Sequence, residues 1–350
     1  MLLMIAFVHA LQTGATVTVC EAGCDATTVA DGVALALPGD ELFLDTEQVE
    51  GCAFIDKDLV VRGRGVGSTT IDVNFGCSNN FAFTVTAPIG LVIEDLSLAV
   101  TTLNLLQVND NATVRVSRVE VAADVGRGVP GGALVHATVG NITLEEVHAR
   151  NSQGAVAFVS GTASLTIRGS TFDSGVGANS GSNNAGVLVL QNASVLIADS
   201  LFIDNFAFES PAVRTETTGS VSIVRSRFSG NRADNRAGAI HVAAPNVVLT
   251  GNFFCTNDDD ARAGAVVLEP TASATVRNNV FADNLSRFGD AGALDISGAA
   301  AIVEHNLFIG NRAPTNQTAR PAALAHHRQR RAGARERVHR PPHGAGFDVA

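Results

Sequence analysis

Asp258-Asp259-Asp260 is the run of side chains best suited to holding a metal ion. Hard divalent cations take oxygen ligands, so these carboxylates, in the turn after Asn257, could bind Ca²⁺. Asp283 and Asp290 fall in the equivalent region about one repeat later and could add ligands. The same run also reads as a solvated turn. Cysteine supplies the second chemical feature. Cys20 and Cys24 flank the turn Glu21-Ala22-Gly23, and Cys52 and Cys77 follow about one repeat apart. Two disulfides among these four would suit an exported protein. A zinc site is the alternative, although no His lies near them. Cys255 reads as a lone buried or turn thiol. His241 and His305 fall within strand-like runs and read as structural, while Glu209, Glu216 and Glu269 form no repeating constellation. No residue reads as catalytic, and Ca²⁺ is the cofactor that the carboxylates would hold.

The elements that carry these residues repeat. Phe172, Phe202, Phe228, Phe254, Phe281 and Phe308 recur about every 26 residues. Asn follows three positions later in five of the six, as Asn205, Asn231, Asn257, Asn284 and Asn311. Between these marks lies a second one: Gly154-Ala155-Val156, Gly186-Val187-Leu188, Gly238-Ala239-Ile240, Gly264-Ala265-Val266 and Gly292-Ala293-Leu294, with Ala212-Val213 replacing it once. A fixed period of this size is the signature of a solenoid. Apolar residues alternate within each repeat, as in Ser220 to Phe228, where Val221, Ile223 and Phe228 all face inward if one turn breaks the run. Gly, Asn, Ser and Asp supply tight turns. Each repeat therefore reads as one coil of a parallel β-helix, in which Phe stacks on Phe and Asn forms a ladder at a turn. Roughly ten coils stacked ~4.8 Å apart give a rod on the order of 50 Å long. Earlier coils are less regular, at Leu91–Val100, Ala112–Ala122 and Asn141–Ala149, and Asp173 to Ala185 reads as a loop bulging from one coil.

Composition bounds the partners. The chain has 350 residues, one Lys (Lys57), and neither Trp nor Tyr, with a net charge of −10. Setting aside the seven Arg and two acids from Arg320 onward, that balance falls to −15, which argues against nucleic acid and anionic membranes as partners. Residues 1–14 read as a signal peptide with the apolar core Met1–Ala10, and no other stretch has the length of a transmembrane helix. Residues 15–57 read as an N-terminal cap. Within it Val29, Val33 and Leu37 recur at helical spacing after the N-cap Thr28, Pro38-Gly39 ends the helix, and Glu41 to Leu44 reads as the first strand. Residues 58–325 read as the β-helix.

The cap resembles that of secreted right-handed parallel β-helix proteins of the pectin-lyase-like superfamily. The resemblance rests on Cys20 and Cys24, the helix Ala30 to Leu37, Gly39-Asp40, the strand Leu42 to Leu44 and the Gly63-Arg64-Gly65 turn. The later coils resemble the polymorphic outer membrane protein repeat through Phe-x-x-Asn and, once, through Gly131-Gly132-Ala133-Leu134. The resemblance covers about residues 18 to 311 and implies an all-β fold. It leaves function open, because the superfamily includes lyases, hydrolases, epimerases and adhesins. The polygalacturonase set and the epimerase Asp-Pro-His mark are absent, as are the Tyr and Trp platforms common in sugar clefts. The expectation is an exported rod, extracellular or on the outer-membrane or cell surface, with a binding, adhesive or structural role and a polysaccharide or cell-surface ligand. The alternative is a lyase or related enzyme acting on acidic polysaccharide with Ca²⁺ at Asp258 to Asp260.

Residues 326–350 break the pattern, being rich in Arg, His and Pro with no alternation. Read one nucleotide later with suitable codons, the chain from His326 becomes Ile-Thr-Gly-Asn-Val-Ala-Arg-Val-Arg-Glu-Asn-Val-Phe-Thr-Gly-His. Seven of sixteen positions then match Ile296 to Asn311, including the Asn and Phe of the repeat. A frameshift near residue 325 is the expectation; a basic tail that binds an anionic partner is the other reading.

Overall fold

The computed structural model describes residues 14–72, 81–100, 104–123, 134–152, 155–176, 186–298, 300–313 and 324–328. Its strands form a parallel β-solenoid of about ten turns with three sheets along its length. The wide sheet has 21 strands and gathers two segments from most coils, the second sheet has 11 strands, and a short sheet has four. The short sheet comprises Phe206–Glu209, Arg232–Asn235, Asp258–Asp259 and Leu285–Ser286.

The alternating pattern becomes a buried and a solvent-facing side. In Ser220–Val224 and Arg227–Ser229, Val221, Ile223 and Phe228 point into the core, and the turn that breaks the run falls at Arg225, with φ 47°. Equivalent corners in other coils use Asp95, Arg118, Glu146, Gly169, Asp199, Gly251, Asn278 and His305, all at positive φ. His305 is thus an exposed corner residue rather than a strand residue. Phe172, Phe202, Phe228, Phe254, Phe281 and Phe308 align in register. Their rings stack at 4.7–4.9 Å between centroids.

Two polar ladders run beside this stack. In one, the backbone N–H and Nδ2 of Asn205, Asn231, Asn257 and Asn284 each donate to Oδ1 of the Asn one coil on, ending at Asn311. The second ladder begins with hydroxyls, Ser170 N–H donating to Ser200 and Ser200 N–H to Ser226. It continues through Asn252 and Asn279 to Asn306. A buried carboxamide is stable here because almost every donor and acceptor it carries is used. The Gly mark has a steric cause. A Cβ at Gly238 would come within 2.1 Å of the Gly264 carbonyl oxygen, so Gly lets these two corners stack closely.

The helix Val29–Leu35 closes the N-terminal end, with Thr28 accepting from Asp31 N–H. Val29 and Val33 are buried, whereas Leu37, expected on the buried side, is exposed. Lys57 Nζ donates to the Val33 and Ala36 carbonyls at the helix end. The first strand is Thr16–Val19, pairing with Glu41 to Leu44, so coil pairing begins well before Asp58. Cys20 and Cys24 form a disulfide. Cys52 is disulfide-bonded, and Cys77 lies outside the described residues. Cys255 is a buried free thiol. Among the described residues, no helix is long and apolar enough to cross a membrane.

Candidate functional site

The corner between the short sheet and the second sheet concentrates charge. Its loops stack through Ala237, Ala263 and Ala291, which puts Arg236 and Arg262 at equivalent positions beside second-sheet strands carrying Arg214, Glu216, His241 and Asp295. Asp259 shapes one of these loops. It occupies the inward side of the short sheet, where earlier coils place Ala207 and Ala233 and the next coil Ser286. Its Oδ2 accepts from the N–H groups of Ala261 and Arg262, holding the loop. Arg262 then spans the corner, bonding Asp295, Glu269 and Ser297. Burial works against its charge, but the bonds to Glu269 and Asp295 keep its pKa above the ordinary value.

The contacts continue along the rod. His241 is fully buried, and its Nε2 lies 3.0 Å from Glu269. The bond from His241, with Arg262 adding to it against burial, holds Glu269 down to about 2. One terminal nitrogen of Arg236 lies 3.4 Å from both imidazole nitrogens. An in-plane atom equidistant from both would collide with Cε1, so this contact is over the ring face, as in a cation–π pair. Arg236 also faces Glu209 at 3.4 Å and Glu216 at 3.6 Å. Arg214 bonds Glu216 and contacts Glu209. Glu216 stays below its usual range even though burial opposes ionisation, because Arg214 pairs with it.

Asp259 behaves in the opposite sense. Its Oδ1 has no partner, and burial pushes its pKa up to about 6 despite the loop N–H groups. Between about pH 4 and 6 the folded protein binds a proton that the unfolded chain releases, so stability falls as pH rises through that window. The shift corresponds to about 3 kcal/mol at most. Asp259→Asn keeps an oxygen for Ala261 and Arg262 but carries no charge. Urea titrations of the variant should lose this decline; a decline of wild-type size in the variant would show that another group causes it.

The three candidate calcium ligands do not converge. Asp258 faces outward and receives a forked bond from Arg287, which also lies 3.3 Å from Asp260. A guanidinium thus sits between these two, while Asp259 points inward. Asp283 is a corner residue at φ 53°, and Leu285 is the register partner of Asp258. Among the described residues, no group of three His, Cys, Asp or Glu side chains gathers as a metal cage. The structure instead brings together Glu209, Glu216 and Glu269, which show no constellation in the sequence. A signal was present: Arg236 and Arg262 recur at the repeat spacing, but in the loops rather than at the repeat's own marks.

The family model described as "Right handed beta helix region" matches residues 154–323. A PL6 family alginate lyase structure superposes with a TM-score of 0.51 at 12% identity, covering 84% of this chain. The chain spans 39% of the length of that lyase. The mannuronan C-5 epimerase A-module of Azotobacter vinelandii gives a TM-score of 0.44 at 14% identity, covering 82% of this chain and 90% of its own. No curated protein matches the sequence. The fold is a right-handed parallel β-helix.

Two further features border this corner. Phe288 is 79% exposed in the loop after Arg287, and Gly289 beside it packs against the Arg262 backbone. The insertion is anchored at the same corner, through Val176 bridging Phe206 and Gly186 packed on Ala212; its residues 177–185 lie outside the described residues.

Proposed function

We propose that this chain is an exported β-helix that binds acidic polysaccharide along the corner between the short and second sheets. The carrying observation is Arg236. Arg214 and Arg262 are held by close carboxylate bonds, whereas Arg236 has contacts of 3.4–3.6 Å and a side chain 34% exposed. A guanidinium placed this way can take a sugar carboxylate through paired N–H donors. Phe288 offers a nearby apolar ring face for a sugar, in place of the absent Tyr and Trp. The fold likeness to an alginate lyase supports the substrate class. The disulfide Cys20–Cys24 supports export.

Polysaccharide lyase activity at the same corner is the second reading, favoured by that likeness. The charges of the corner favour binding over turnover. Glu216 is engaged by Arg214, Glu269 by Arg262 and His241, and His241 is buried, so none of them is free to act on a bound sugar. The test is affinity electrophoresis in alginate and polygalacturonate gels, with ultraviolet absorbance monitored for unsaturated uronate ends. Retardation without absorbance is expected, and Arg236→Gln should weaken it by about tenfold, the loss of one charge-assisted contact. New absorbance would establish the lyase reading. Neither signal, or an unaffected Arg236→Gln, would sink the proposal.

A further inference from the structure

We propose that the C-terminal face of the coil Ala300–Arg312 is a docking surface for one more coil of the same repeat, chosen by hydrogen-bond acceptors at the two ladder positions. This inference stands apart from the polysaccharide reading.

The ladders have a direction. Each internal Asn donates its N–H and one Nδ2 hydrogen to the next coil, and its other Nδ2 hydrogen to a main-chain carbonyl of the coil before. Asn257, for example, donates to Asn284 and to the Phe228 carbonyl. Among the described residues, the last rungs are Asn306 and Asn311. Each donates backward, to the Val276 and Phe281 carbonyls, and makes no onward bond among the described residues. The face therefore presents donors. Its inward residues Ala301, Val303 and Phe308 are only partly buried, whereas their counterparts Ala274, Val276 and Phe281 are buried.

This polarity selects the occupant. Two copies meeting through this face would set donors against donors, leaving buried N–H groups unpaired. Head-to-tail stacking meets the capping helix at the other end. A coil that continues the rod presents acceptors. The chain shows what the position tolerates, since the Ser226 oxygen accepts where later coils use Asn. Such a coil has already begun. Leu324–Arg328 pairs with Leu294–Gly298 in the register Leu294↔Leu324, Asp295↔Ala325 and Ile296↔His326. That register is the one in which the reading shifted by one nucleotide aligns with Ile296 to Asn311, and it puts Asn and Phe over Asn306 and Phe308.

The test replaces residues 326–350 of the full chain with the shifted sequence and follows amide exchange at Asn306 and Asn311 by mass spectrometry. Protection should rise on the order of a hundredfold. A version with serine for the asparagine of its Glu-Asn-Val-Phe run should keep most of the protection at Asn306, and one with leucine should lose it. The shifted segment added as a peptide to the unaltered chain should protect the same amides, independently of how the replacement folds. Equal protection by the leucine version would overturn the acceptor rule. Absent protection in both formats, or a dimer of the unaltered chain that buries this face, would overturn the docking surface.

Discussion

Asn257→Asp should destabilise the rod by about 4–6 kcal/mol, more than most core truncations, although the side chains are nearly the same shape. Asn257 is fully buried. It accepts two bonds at Oδ1, from the N–H and Nδ2 of Asn231. It donates through Nδ2 to the Phe228 carbonyl and to Asn284 Oδ1. Aspartate can still accept, but it cannot donate, so the Phe228 carbonyl loses its side-chain partner and Asn284 Oδ1 keeps only the Asn257 N–H, a loss of about 1–3 kcal/mol. Its charge would also face those two oxygens in a site without water, an unpaired buried ion that adds several kcal/mol. Protonation removes the charge, so the loss should shrink as pH falls toward the raised pKa of the new carboxyl. Asn257→Leu removes both functions without a charge and should cost about 3 kcal/mol with no such pH dependence. Urea unfolding of the three proteins at two pH values decides the matter. An Asp variant as stable as wild type would show that the ladder bonds contribute little.

Phe228→Ala is the second large effect, at about 4–6 kcal/mol. Phe228 is fully buried and stacks on Phe202 and Phe254 at 4.9 Å on both sides. Truncating a buried Phe costs about 3–5 kcal/mol, and losing two ring contacts adds on the order of 1 kcal/mol. The closely stacked coils have little freedom to collapse into the gap, which keeps the cavity cost high. Phe308 is half-buried and, among the described residues, has a single ring neighbour, Phe281. Phe308→Ala should therefore cost less than half as much. Because a solenoid can unfold segment by segment, amide exchange on either side of the substitution is the better measurement. Equal losses at Phe228 and Phe308 would contradict the two-sided stacking account.

Much of this architecture is legible in the residues. The spacing of Phe172 to Phe308 implies the stack, the spacing of Asn205 to Asn311 implies the ladder, and alternation around Val221 and Ile223 implies the strands. These signals work because parallel coils superimpose residues one period apart, turning a linear repeat into a column. That a turn must break the run before Phe228 follows from the shift in alternation; its place at Arg225 comes from the fold. The Ser170–Ser200–Ser226 prelude to the second ladder is harder to see, because hydroxyl and carboxamide share only the ability to accept a bond.

The candidate site follows no such rule. Asp258, Asp259 and Asp260 are adjacent in the chain, yet strand geometry sends neighbours to opposite faces, so adjacency separates their carboxylates. Glu216 and Glu269 lie far apart in sequence, yet Arg236 and His241 connect them, because a loop from one sheet folds over the strands of the next. The period, the stacked core and the Asn ladder can be read from the residues, since each depends on like residues meeting across coils. Which charges meet at the corner, and which donors Asn306 and Asn311 present, emerges only once the coils are folded. Those outcomes depend on side chains of different kinds converging from different sheets, and on the direction in which each carboxamide is oriented.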